Sequence, residues 1–160
     1  IANTDVLTGV SNRLALNEYI RLLELRPERL TQTGLIIIDI DDFKIVNDRL
    51  GHIIGDQVIK FVADTLKEHL TSSELIVRYG GDEFLTIVDN TNFKDALILA
   101  ENIRQSISRS DCYIKELNEF VGISVSAGVA VGAVSWMALL ERADKSLLKV
   151  KTQGKNAVLG

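Results

Sequence analysis

Two groups of carboxylates in this chain stand where side chains that do chemistry are often presented. Asp39, Asp41 and Asp42 follow the unbroken apolar run Leu35-Ile36-Ile37-Ile38, and Asp82 and Glu83 follow the pair Gly80-Gly81. A carboxylate at the end of a buried strand rests on a rigid support. If the strand that ends near Asp39 neighbours the one that begins near Glu83, Asp39 and Asp82 converge. They then offer hard oxygen ligands suited to Mg²⁺ or Mn²⁺. Taken singly, each group reads first as solvated acids at a strand end and a turn.

A third cluster shifts that balance. Lys44, Asn47, Asp48, His52 and Asp56 lie in one short stretch after the acidic strand end, broken by Gly51 and Gly55. An amide and a carboxylate match the acceptor and donor edges of guanine, so Asn47 and Asp56 can receive that base. Each alone is otherwise a helix cap or an exposed polar residue. His52 stands at a helix junction, where holding the loop by a hydrogen bond is the leading role for it, ahead of catalysis or metal ligation. Arg13 and Arg78 either contact phosphate or form internal salt bridges to acids such as Asp144.

These residues need elements to position them. Over residues 12–25, Leu16, Tyr19, Ile20 and Leu23 recur at helical spacing, with Ser11 or Asn12 as cap. Pro27 ends that helix, Gly34 leads into the apolar run, and the run itself predicts a central strand covered on both faces. A short helix is expected over residues 43–50, stopped by Gly51, then a longer one burying Val58, Phe61, Val62, Leu66 and Leu70. Residues 75–79 and 83–88 predict a hairpin, with Gly80 and Gly81 free to take positive φ at its turn. Phe93, Leu97, Ala100, Ile103 and Ile107 mark another amphipathic helix, and residues 112–117 and 121–131 alternate like paired strands. A last helix after Ser135 turns Leu139, Leu140, Ala143, Leu147 and Val150 inward, and residues 157–159 add a short strand. The order implies an α/β (α+β) domain with a mainly antiparallel central sheet flanked by helices, as in ferredoxin-like folds.

The bulk properties narrow the function classes. A chain of 160 residues is long enough for one domain, 1–160, to bury a core without staples. Its single cysteine, Cys112, has no disulfide partner, which fits a reducing, cytoplasmic setting. The formal net charge is −4 and no basic tract stands out, so no nucleic acid and no anionic membrane surface is implied as a partner. A polyphosphate substrate would need metal ions. No apolar run suggests a membrane span, the first residue is Ile1 rather than Met, and no signal peptide precedes Asp5. The expectation is a segment of a longer protein.

The run Arg78-Tyr79-Gly80-Gly81-Asp82-Glu83-Phe84 resembles the signature of the GGDEF family, the catalytic domains of diguanylate cyclases. The flanking segments are similar as well: Asp5-Val6-Leu7-Thr8-Gly9 with Asn12-Arg13, Asp39-Ile40-Asp41-Asp42-Phe43-Lys44, and Asn47-Asp48 with Gly51-His52 and Gly55-Asp56. Near the end, Ala143-Asp144 and Gly154-Lys155-Asn156 fit the family's closing pattern. The ordered set covers nearly the whole chain and is far more specific than any one motif.

The resemblance implies a nucleotidyl cyclase-like fold and a homodimer that condenses two GTP into cyclic di-GMP and two pyrophosphates. It implies two Mg²⁺ or Mn²⁺ ions per site, held by Asp39 and Asp82 and by the backbone carbonyl of Ile40. Asp82 and Glu83 become the catalytic acids, with Glu83 a further ligand or proton acceptor. Asn47 and Asp56 read guanine, Gly80 and Gly81 let the backbone approach the triphosphate, and Phe43, Lys44, Lys151 and Lys155 complete the substrate site. A sensor or receiver domain is expected elsewhere in the full-length chain; were that chain anchored in a membrane, this domain would lie on its cytoplasmic side. The rival reading from another class is a family member that binds GTP without turnover. A phosphoacceptor receiver fails, because the hairpin signature does not fit alternating βαβ units.

Some positions depart from the family. The Arg-x-x-Asp product site has Thr71 and Glu74 at its matching positions, so tight product inhibition there is not expected. Leu148 replaces a usual Tyr, a packing change. Lys155 replaces an Arg, keeping charge but losing the bidentate fork.

Overall fold

The computed structural model describes residues 3–71, 74–110 and 112–160; Ile1 lies outside them. The apolar run becomes β1 (Gly34–Ile40), a strand buried along its whole length. Leu35 and Ile37 face one layer of the core, and Ile36, Ile38 and Ile40 face the other. Antiparallel neighbours flank it on both edges, β3 (Glu83–Val88) and β6 (Val125–Val131). Beyond β3 lies β2 (Leu75–Arg78), and beyond β6 lies β7 (Val158–Leu159), which pairs with β6 in parallel. The order is β2-β3-β1-β6-β7, so the mainly antiparallel α/β sheet inferred above is what forms.

Helices cover both faces. On one face pack α3 (Phe43–Leu50), α4 (His52–His69) and α5 (Phe93–Arg109), through Phe43, Val58, Val62, Ala100 and Ile103. On the other pack α1 (Arg13–Glu24), the single turn α2 (Pro27–Leu30) and α6 (Trp136–Thr152), through Leu16, Leu23, Leu30, Leu139 and Leu147. Side chains cap three of these: Asn12 Oδ1 accepts from Ala15 N–H at 3.0 Å, Asn92 Oδ1 from Asp95 N–H at 2.9 Å, and Ser135 Oγ from Ala138 N–H at 3.1 Å. Gly128 sets how closely α6 approaches the sheet, since a Cβ there would collide with the Ala143 carbonyl and the Leu147 backbone. Among the described residues no helix is long and apolar enough to cross a membrane.

Several sequence expectations need correction. Pro27 does more than end α1, because it opens α2 as its first residue, where the missing N–H costs nothing. Residues 112–117 and 121–131 are not one hairpin. β4 (Cys112–Ile114) pairs with β5 (Glu119–Val121) in a separate two-stranded sheet, and β6 begins only at Val125. The alternation does not continue through β6, whose Ser, Ala and Gly residues are buried whichever way they face. Phe93 is nearly half exposed at the start of α5, and Leu70 is buried from an extended C-cap just past α4.

Candidate functional site

The acidic residues meet at one end of β1. Asp39 lies opposite Glu83 in the β1–β3 register, and the Ile40 N–H donates to the Asp82 carbonyl at 3.1 Å. Only 7% of Asp39 is exposed. Its Oδ2 pairs with the Lys151 ammonium from the end of α6, while Oδ1 is buried with no hydrogen-bond partner. Burial lifts the Asp39 carboxyl above the ordinary carboxylate range; Lys151 opposes the shift and the nearby Asp82 adds to it. Burial, then the Asp39 charge, raises Glu83 likewise. Against its own burial, Asp39 holds the Lys151 ammonium above its usual value.

The double glycine lies between β2 and β3, but not for the reason its composition suggests. Neither Gly80 nor Gly81 takes a positive φ. What distinguishes them is space: nothing lies within 4 Å of a Cβ built on Gly81, and only the Glu83 Cβ, at 3.6 Å, approaches one on Gly80. The Glu83 carbonyl accepts from Tyr79 N–H at 2.8 Å and Gly80 N–H at 3.1 Å, closing the turn. Two arginines brace it. Arg78 donates to the Gly81 carbonyl at 2.9 Å and reaches Asp5 at 3.4 Å. Arg13 Nε donates to the Tyr79 carbonyl at 2.6 Å, with its guanidinium 3.9 Å above the Tyr79 ring. Both arginines are internal braces, and their partners are Asp5 and Tyr79 rather than Asp144.

Asn47 and Asp56 come together where α3 meets α4. Asn47 rests on Gly55, where a Cβ would collide with its Oδ1, and Asp56 is the next residue of α4. The Asn47 Oδ1 is buried and unpartnered, while Asp56 is exposed. Lys44 is exposed on the first turn of α3, a helix whose N-terminus has no side-chain cap. His52 is exposed, and among the described residues its ring has no hydrogen-bond partner, so it does not tie down the loop. Lys155 pairs with Asp42, and Lys151 with Asp39, so both lysines reach the acidic strand end.

Asp41 is the member of that acidic group for which local sequence suggests no role. Its Oδ2 accepts from Ser124 Oγ at 2.6 Å and from Asn156 N–H at 3.1 Å, and its Oδ1 accepts from Ser126 Oγ at 2.6 Å. Its oxygens are thus filled, unlike the orphaned Oδ1 of Asp39. Among the described residues no three His, Cys, Asp or Glu side chains form a ready-made metal cage. A site with few carboxylates and an open acceptor fits a hard divalent ion that keeps waters and takes substrate phosphates as further ligands.

A mainly antiparallel sheet with helices on both faces and this acidic edge defines the nucleotidyl cyclase-like fold. The GGDEF domain of DgcB from Caulobacter crescentus, solved in complex with c-di-GMP, superposes with a TM-score of 0.92 at 35% identity, covering 99% of this chain and 92% of that one. The family described as "Diguanylate cyclase, GGDEF domain" matches residues 2–157, and the chain belongs to it. Among curated relatives it is 38% identical over 167 residues to the response regulator PleD of Caulobacter vibrioides, covering 100% of this chain and 36% of that protein. It is 36% identical to diguanylate cyclase DgcP of Pseudomonas aeruginosa, covering 97% of this chain and 23% of that protein. The chain therefore spans about a third or less of these relatives' length.

Proposed function

We propose that this chain is the catalytic domain of a diguanylate cyclase, condensing two GTP into cyclic di-GMP with release of two pyrophosphates. The observation that carries the reading is the buried Asp39, its Oδ1 unpartnered, set opposite Glu83 beside the open Gly80-Gly81 turn. Asp39 and Asp82, with the Ile40 carbonyl, would hold divalent ions, Mg²⁺ or Mn²⁺, two per site. Ions bound there supply a lowered pKa for the ribose 3′-hydroxyl and neutralise charge on the phosphates.

The chain's own residues position and exchange protons. Asn47, with its unpartnered Oδ1, and Asp56 receive the guanine edge. The uncapped α3 N-terminus presents the N–H groups of Phe43 and Lys44 to phosphate, and the bare Gly80-Gly81 turn lets the triphosphate lie close to the backbone. Lys44, Lys151 and Lys155 neutralise it. The 3′-oxygen of one GTP forms a bond to the α-phosphorus of the other, the bond to the β-phosphate oxygen breaks, and the hydroxyl proton passes to Glu83, whose raised pKa suits a proton acceptor. One domain holds one GTP, so the second nucleotide comes from a second copy facing it antiparallel. The same reading places the domain in the cytoplasm, within a longer chain carrying a sensor or receiver domain.

Incubation of concentrated protein with GTP and Mg²⁺, with chromatography for cyclic di-GMP, tests the proposal. Product that disappears in Asp82→Asn supports it. GTP binding without product from the wild type would instead support a GTP-binding module.

A further inference from the structure

The segment that carries Lys151 and Lys155 ends in an unusual backbone. Gly154, Lys155 and Asn156 are consecutive and all left-handed, with φ of 116°, 64° and 49°. Two of the three are not glycine; asparagine enters this region more readily than most, but a lysine held there within a run of three calls for surroundings that over-determine it. The surroundings here converge on residue 156. Its N–H donates to Asp41 Oδ2 and to Ser126 Oγ, both at 3.1 Å, and its Oδ1 accepts from Arg104 at 2.9 Å. The Lys155 N–H closes the turn onto the Val150 carbonyl at 2.9 Å.

Asp41 is the hub of this arrangement. It stands two residues from Asp39 and receives hydroxyls from both Ser124 and Ser126 at the start of β6, each at 2.6 Å. One carboxylate therefore joins the end of β1, the start of β6 and the left-handed turn. The same turn places the Lys155 ammonium on Asp42, and the helix before it places Lys151 on Asp39. Three acids of one strand end thus receive three donors from one short C-terminal segment, and the central acid has both oxygens occupied by the protein itself.

We infer that Asp41 is a positioning residue: it clamps the 154–156 turn to β1 and so fixes where Lys151 and Lys155 stand relative to the acidic edge. The inference rests on the proposed reading that those lysines hold the triphosphate. Without the clamp the turn is free to relax toward ordinary backbone angles, which moves the lysines and leaves the guanine-reading residues on α3 and α4 in place.

The test separates phosphate binding from everything else. Calorimetry with Mg²⁺ compares 3′-deoxy-GTP, which lacks the nucleophile and is not consumed, with 3′-deoxy-GMP. In Asp41→Ala the affinity ratio of triphosphate to monophosphate is expected to fall about tenfold, the scale of removing one charge-assisted hydrogen bond. Affinity for the monophosphate should stay at the wild-type value, and Asp41→Asn, which keeps an acceptor, should recover part of the ratio. An unchanged ratio, or equal weakening for both nucleotides, would overturn the inference. Lys151→Ala serves as the reference. If it lowers the ratio and Asp41→Ala does not, the clamp is wrong and the phosphate role of Lys151 stands; if neither lowers it, both are wrong. Should Asp41→Ala fail to fold, Arg104→Met loosens the same turn from α5 and is expected to lower the ratio roughly threefold; no change would refute the clamp.

Discussion

The Lys151 ammonium from α6 is ion-paired with the Asp39 carboxylate on β1, so the protein carries its own cation at the acidic edge where a divalent ion is proposed to bind. The two cations compete for one carboxylate. Lys151→Met should therefore bind Mn²⁺ more tightly than the wild type in the absence of nucleotide, by about tenfold, the scale of one partly buried charge pair. Electron paramagnetic resonance of free Mn²⁺ measures this directly, and equal affinities would show that Lys151 does not compete. With excess chelator, product formation by the wild type should cease.

The two glycine environments predict opposite phenotypes. Gly81 takes an ordinary φ and has open space around it, so Gly81→Ala should change stability by no more than about 0.5 kcal/mol while sharply reducing turnover. Gly128→Ala drives a methyl into the backbone of α6 and should cost about 3 kcal/mol or more. Thermal melts alongside a turnover assay distinguish them; a destabilised Gly81→Ala would contradict the open-turn geometry.

Asn47 is expected to serve binding rather than folding. Its buried Oδ1 has no partner in the protein, so Asn47→Ala removes an unsatisfied acceptor and should leave the melting temperature unchanged or slightly raised. Affinity for GTP should drop by roughly tenfold to a hundredfold, with the preference over ATP reduced in step. A variant that melts early and still favours GTP would place Asn47 in the core instead.

Glu83 gives a pH dependence. Its folded-state pKa is raised by burial and by Asp39, so between the ordinary glutamate value and that raised value the folded state binds more protons than the unfolded one. Its contribution to stability grows as pH falls through that window and is unfavourable at neutral pH. Glu83→Gln should accordingly be more stable than the wild type at pH 7, with the difference closing in acid. Denaturant titrations across pH check the sign; a gap that widens in acid would be the wrong one.

Product should bind weakly at the Thr71/Glu74 position. The Glu74 carboxylate accepts from the Thr71 backbone N–H at 2.8 Å, and Thr71 offers no guanidinium fork. One missing bidentate interaction weakens binding by about tenfold or more. Submicromolar cyclic di-GMP binding that depends on Glu74 would show a rebuilt site.

The parts of this molecule that are legible in its sequence are those set by local pattern. Leu35 to Ile38 announce a strand buried on both faces because no polar residue interrupts them, and Asn12, Gly51 and Ser135 mark helix boundaries that form at those residues. What stays hidden depends on distant partners. Asp41 looks like its neighbours until the fold brings Ser124 and Asn156 to it from 83 and 115 residues away. For the same reason sequence alone leaves the partners of Arg13 and Arg78 open, and the fold supplies the Tyr79 carbonyl and ring to one and Asp5 to the other. Gly80 and Gly81 stand out in the chain, yet what they provide is room and not φ, a distinction that composition does not make.

β1 is hydrogen-bonded along both edges, whereas the turn between β2 and β3 rests on two backbone bonds to the Glu83 carbonyl and on two arginine side chains. Asp39, on the doubly paired strand, and Asp82, at the end of the hairpin, are therefore expected to differ in local stability. Amide protons of β1 should exchange with solvent only when the whole sheet opens, while those of Tyr79 and Gly80 exchange through small fluctuations that leave the core intact. A nucleotide gripped between the two halves would slow exchange in the turn and leave β1 as it was, so the turn's amides report occupancy of the acidic edge without any turnover.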